Sequence, residues 1–214
     1  MRKFSLLIVI LCSWIGFTFA HQPRLVFDRP EGQVIDVQNP EVSQAFYGIL
    51  SGQEDIYQIV SNTGFLLYIS LVVPKMSGNR TDFTVDLMEW NMAVYTRLDG
   101  TRFDWTDFFE PFAGDMYLQW PSIEKTVGSG TYIIRVSNVH NQGKYSLAIG
   151  KIESFPINET IHTYKVLPEL KMTFFEKPWY TVVRNVVWWG MVGILLIVVG
   201  IVWLMIILVR RIKK

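Results

Sequence analysis

From Val186 to Val209 the chain carries no charged residue, and the cations Arg210, Arg211, Lys213 and Lys214 follow at once. At about 1.5 Å of rise per residue such a run is roughly 36 Å long as a helix, enough to cross a bilayer with some tilt. Trp179, Tyr180, Trp188 and Trp189 cluster at its entry and Trp203 lies near its exit, where amphipathic rings favour the headgroup region. The positive-inside rule then puts the basic tail in the cytoplasm and the domain ahead of the helix on the other side.

The N-terminus points the same way. Arg2 and Lys3 precede an apolar stretch from Phe4 to Phe17, which ends on Thr18-Phe19-Ala20. That is the pattern of a signal peptide, removed after Ala20 or kept as an anchor. The expected organisation is a signal at 1–20, an ectodomain at 21–166, a juxtamembrane stalk at 167–185, a transmembrane helix at 186–209 and a cytoplasmic tail at 210–214. Pro168 and Pro178 argue against one continuous helix through the stalk. The chain is therefore expected to be a single-pass type I protein of the cell membrane, its ectodomain outside the cytoplasm.

Charge partitions accordingly. Fourteen of the 20 Lys and Arg and all 19 acidic residues lie between Ala20 and Arg210, so this middle part carries −5. A net negative ectodomain lacks the basic footprint that nucleic acid requires. The single cysteine, Cys12, falls inside the signal, so the ectodomain must be held by its core and not by disulfides.

Ahead of the final helix, short apolar or alternating runs rich in Val, Ile, Tyr and Phe recur between Gly, Asn, Asp and Pro. Strands are expected at Arg24 to Phe27, Gln33 to Val37, Gln44 to Leu50, Asp55 to Val60 and Phe65 to Val73. Four more are expected at Phe83 to Glu89, Met92 to Thr96, Thr131 to Ser137 and Lys144 to Gly150. About nine strands without a helical period predict an all-β ectodomain, a β-sandwich, with one C-terminal transmembrane helix. The last two runs read as a hairpin turning at Asn141-Gln142-Gly143. Phe65 to Val73 is apolar on both faces apart from Ser70, which predicts a central strand or one covered by a loop. The stretch Arg102 to Pro121 is expected to be that long covering loop.

Asp55-Ile-Tyr-Gln-Ile59, the run Phe65 to Leu71, Gly130-Thr-Tyr-Ile-Ile-Arg-Val136 and Lys144-Tyr-Ser-Leu-Ala-Ile149 together resemble bacterial pre-peptidase C-terminal domains. The resemblance covers about residues 55 to 150. It implies a small β-sandwich with a binding or structural role. Of that family's Asp-x-Asp-Leu pattern only Asp86-Leu87 is present.

The residues for catalysis are sparse. His21, His140 and His162 are far apart in sequence, and neither a Gly-x-Ser-x-Gly nor a His-Glu-x-x-His motif occurs, so the chain is not expected to be an enzyme. The stretch Arg102 to Pro121 interleaves aromatic rings with Asp104, Asp107, Glu110 and Asp115. Its oxygen ligands suggest Ca²⁺. Its rings Trp105, Phe108, Phe109, Phe112, Tyr117 and Trp120 either form a platform for a protein or glycan partner or pack on the sandwich. Gly190, Gly193 and Gly200 share a stripe of the membrane helix where small residues permit helix packing.

Cleavage after Ala20 would leave His21 at the N-terminus, where its amine and imidazole together suit Cu(II), with His140 or His162 as a second imidazole. The stretch His21 to Phe46, with Pro30-Glu31-Gly32 and Asn39-Pro40-Glu41-Val42, resembles the opening of periplasmic copper-resistance C-type proteins. Three readings stay open: a binding or scaffolding protein of the cell envelope, a copper-binding envelope protein, and an accessory subunit of a membrane complex.

Overall fold

The computed structural model describes residues 21–212 apart from 28, 31, 91, 92, 111–113 and 185. The expected signal with its Cys12, the candidate Phe112 and the cations Lys213 and Lys214 lie outside the described residues.

Alternation decides the architecture, because side chains on a strand point to opposite faces in turn. Twelve strands among the described residues form two sheets. The larger runs in the order β1 (Gln22–Leu25), β3 (Gln44–Ser51), β12 (Gln142–Ile149), β5 (Phe65–Pro74), β9 (Asp115–Gln119) and β8 (Thr106–Glu110), with β10 (Ile123–Val127) also paired to β5. The smaller runs β2 (Ile35–Asp36), β4 (Asp55–Ser61), β11 (Gly130–Ser137), β6 (Thr84–Glu89) and β7 (Val94–Asp99). Leu67, Ile69, Leu71 and Val73 of β5 and Tyr145, Leu147 and Ile149 of β12 are buried against Tyr57, Ile59, Val85, Leu87, Ile134 and Val136 of the smaller sheet. The expected sandwich is thus present, with its core between the two inner faces.

That core carries a polar group chain. The Tyr57 and Tyr145 hydroxyls are 2.7 Å apart, Tyr145 donates to Asp55, and Asp55 pairs with Arg29. Burial pushes the Asp55 carboxyl above its ordinary range, against the opposing pull of Tyr145 and Arg29. Tyr145 reaches this position across the backbone of Gly48, where an added Cβ would sit 2.4 Å from the Tyr145 ring. Only glycine fits there.

Three expectations change. First, Thr131 to Ser137 and Lys144 to Gly150 are not a hairpin. β11 pairs with β4 and β6 whereas β12 pairs with β3 and β5, so the chain crosses from one sheet to the other between them. The Asn138 side chain stitches the corner, accepting from the His140 and Gln142 amides and donating to the Gln142 carbonyl, and Asn141 is left-handed at φ 47°. A hairpin and a sandwich corner share turn residues and alternation, which fix the buried face but not the neighbouring strand.

Second, Arg102 to Pro121 is not a long loop. A 3₁₀ turn, Gly100–Arg102, capped by Asp99, leads into the antiparallel pair β8 and β9, and β9 adds to β5 at Val72, Val73 and Pro74.

Third, helix α1 (Ile157–Glu169) follows the last strand and runs into a π-helical turn, Leu170–Phe174, directly after Pro168. A proline removes an amide from the regular ladder, and a local change of helix type absorbs the misfit. The stretch 167–185, expected as a stalk, is therefore not free of the domain at its start. Leu167, Leu170, Phe174, Phe175 and Val182 bury against Ala45, Tyr47 and Tyr117 on the outer face of the larger sheet, a second apolar core. After a 3₁₀ turn, Trp179–Arg184, helix α2 (Val186–Ile212) begins where the apolar run predicts, and it is long and apolar enough to cross a membrane.

Candidate functional site

The outer face of the larger sheet holds a concavity, and strand register explains it. Ala148 stands opposite both Ala45 and Ser70, so three small side chains form one row across β3, β12 and β5. The next row is Tyr47, Ser146, Val72 and Gln119, and beyond it Tyr117 faces Phe108 across β9 and β8. Small residues between larger ones leave a hollow of about 200 Å³, bordered also by His21, Tyr68 and Glu110.

The C-terminal segment packs against two of the lining rings. Phe174 meets the Tyr47 ring edge-on at 5.2 Å, and Phe175 meets Tyr117 at 5.6 Å. The Tyr117 hydroxyl is buried and faces the Tyr47 phenol without a hydrogen bond of ordinary geometry. Burial pushes both phenols above their ordinary range, and the negative charge of Glu110 adds to the effect. Both are therefore neutral hydroxyls, able to donate as well as accept.

Below the phenols lies a charge cluster. Asp115 and Lys171 are each 1 % exposed and form an ion pair, and Lys177 reaches the other Asp115 oxygen at 2.8 Å. Burial pushes the Lys171 ammonium below its ordinary range; the carboxylate of Asp115 opposes that shift. The pair joins β9 to the π-helical turn.

The aromatic residues singled out in the sequence do not form one platform. Trp105 stacks on Trp120 at 5.1 Å, donates its indole N–H to the Gly100 carbonyl, and packs with Trp120 on the inter-sheet core. Phe108 and Tyr117 belong to the outer face just described, and Phe109 is exposed. The carboxylates separate as well: Asp107 pairs with Lys75, Asp115 with the two lysines, and Asp104 is exposed. Among the described residues no group of three or more His, Cys, Asp or Glu is placed to hold a metal.

His21 is largely enclosed, and burial pushes its imidazole below the ordinary range. Its Nδ1 lies 2.5 Å from the Ser43 hydroxyl, the nitrogen that a terminal copper chelate would use. His140 sits in the sheet-to-sheet corner and His162 is exposed on α1. A Cβ added at Gly190, Gly193 or Gly200 would meet open space among the described residues.

Asp86, the remaining residue of the Asp-x-Asp-Leu pattern, is occupied otherwise. It is 1 % exposed on the smaller sheet and accepts from Arg97 at 2.5 Å and Arg135 at 2.6 Å. Burial alone would raise its carboxyl; the two guanidinium groups outweigh that and hold it below the ordinary range. A folded value below the unfolded one, about 3.9, means the contribution is complete above about pH 4 and lost as pH falls through the folded value. Asp86→Asn is expected to lower the melting temperature near neutral pH and to flatten its decline below about pH 4. An unchanged acid limb would show that Asp86 contributes nothing to it.

The residues at the centre of the hollow, Ser70, Ser146, Tyr47 and Gln119, are absent from the sequence-based candidates. Each alone is an ordinary outward position, and only the register of four strands brings them together.

Among solved structures, the chain is similar to the pre-peptidase C-terminal domain of a collagenase from Bacillus anthracis. That likeness has 18% identity over 56% of this chain and 96% of that domain, with a TM-score of 0.36. A β-glucosidase from Paenibacillus barengoltzii is 11% identical over 61% of this chain but only 13% of that enzyme, with a TM-score of 0.27. That domain is of the family which residues 55 to 150 resemble in sequence; the fold itself rests on the strand pairing above. No protein-family model and no curated protein sequence matches.

Proposed function

We propose that the chain is an exported, single-pass membrane protein whose β-sandwich serves a non-catalytic binding or scaffolding role outside the cytoplasm. The observation that carries this reading is the second apolar core. The segment leading to the apolar helix is bound to the sheet by Leu167, Leu170, Phe174 and Phe175 and by the Asp115–Lys171 pair. A domain joined to its helix by a packed segment presents its surface from a fixed base, which suits recognition beside a membrane better than a slack tether does. The cations after the helix support the orientation.

Protease treatment of intact cells or spheroplasts carrying a C-terminal tag tests the orientation. Digestion of the sandwich with survival of a tagged helix-sized fragment is expected. Protection of the sandwich until the membrane is opened would overturn it.

A further inference from the structure

We infer that the hollow on the outer face of the larger sheet binds a single neutral, hydroxyl-bearing ring, of the size of one sugar residue. The inference deepens the binding role proposed above and rests on it only for where such a ligand would be met.

Size sets the first bound. About 200 Å³ is more than the roughly 150 Å³ that accommodates a benzene ring in an engineered cavity, so a six-membered ring with substituents fits. The chemistry of the wall sets the second. Tyr47, Tyr68, Tyr117, Ser70 and Ser146 carry hydroxyls and Gln119 an amide, groups that both give and take hydrogen bonds. Their complement is a ligand whose own groups do both, which is a polyol. Phe108 adds an apolar ring surface for the C–H face of such a molecule.

Other classes fit less well. The negative charge of Glu110 acts on both phenols, which disfavours a carboxylate or phosphate. An apolar molecule would cover the wall hydroxyls and the Gln119 amide without hydrogen-bonding to them, and buried polar groups are costly until they are paired.

The test uses the full chain purified in a detergent without a sugar headgroup. The probes are methyl pyranosides of gluco, galacto, manno and 2-acetamido-gluco configuration, with toluene, tetramethylammonium and acetate for the other classes, read by saturation-transfer NMR and titration. At least one pyranoside is expected to bind saturably, and the three other probes are not. Gln119→Ala, which removes the wall amide, should weaken pyranoside binding about tenfold. Ser70→Leu, which fills the hollow from a half-exposed position, should abolish binding.

Absence of pyranoside binding by the folded wild type would overturn the inference, as would wild-type binding in both variants. Binding is read on purified protein, so it fails or succeeds independently of the orientation tested above.

Discussion

Phe174→Ala is expected to free the segment that joins the sandwich to the apolar helix. Phe174 is fully buried, edge-on to Tyr47 on one side and to Phe175 at 5.1 Å on the other. Truncating a buried aromatic costs about 3–5 kcal/mol, from lost transfer free energy and from the cavity left behind. Here the loss falls on a small satellite core and not on the inter-sheet core, so the segment opens before the sandwich does. Limited trypsin digestion reads this directly. Lys171 is buried in the wild type and should be cut slowly; in the variant, cleavage after Lys171 should release a folded sandwich from the helix. Equal cleavage rates in the two proteins would show that the segment is not held by Phe174.

What the sequence made legible divides along physical lines. Where one strand face is apolar and the other polar, as in Thr131 to Ser137, period and composition locate both the strand and its inner face. The apolar helix is legible for the same reason, since no other arrangement satisfies so long an uncharged run. The strands β8 and β10 are not, because Thr106–Glu110 and Ile123–Val127 interleave charges with few buried positions; pairing holds them, not alternation. Helix α1 escapes because only Thr163 and Leu167 of its thirteen residues are buried, a stripe too narrow to show a period. Its partner surface is also dispersed in sequence, with Ala45, Tyr47 and Tyr117 scattered over two strands.

The site is less legible than the fold. Outward-facing Ser70 and Ser146 read as solvated positions until register sets them beside Ala45 and Ala148. The rings of Trp105 and Trp120 looked suited to a partner, yet stacking on each other over the core gives them an internal role. Sequence shows which residues are unusual; the pairing of strands decides which of them meet.

The ion pair between Asp115 and Lys171 should separate two ways in which a buried charge acts. Removing one member leaves the other desolvated and unpaired, which costs about 3–5 kcal/mol, whereas replacing both with apolar residues is often neutral or stabilising. Lys171→Met is therefore expected to lower the melting temperature by on the order of 10 °C for a chain of this length, even though Lys177 still reaches Asp115. Asp115→Leu combined with Lys171→Met should recover most of that loss, because the half-exposed Lys177 can turn to water while two apolar side chains join Tyr117 and Phe175. Lys177→Met alone should cost less than Lys171→Met, since its ammonium gives up less hydration on pairing. Thermal unfolding of the wild type and the three variants in one detergent checks the order. A double variant as unstable as Lys171→Met would mean that the pair is itself a net source of stability, and that the segment ahead of the helix is fastened by charge as much as by its aromatic core.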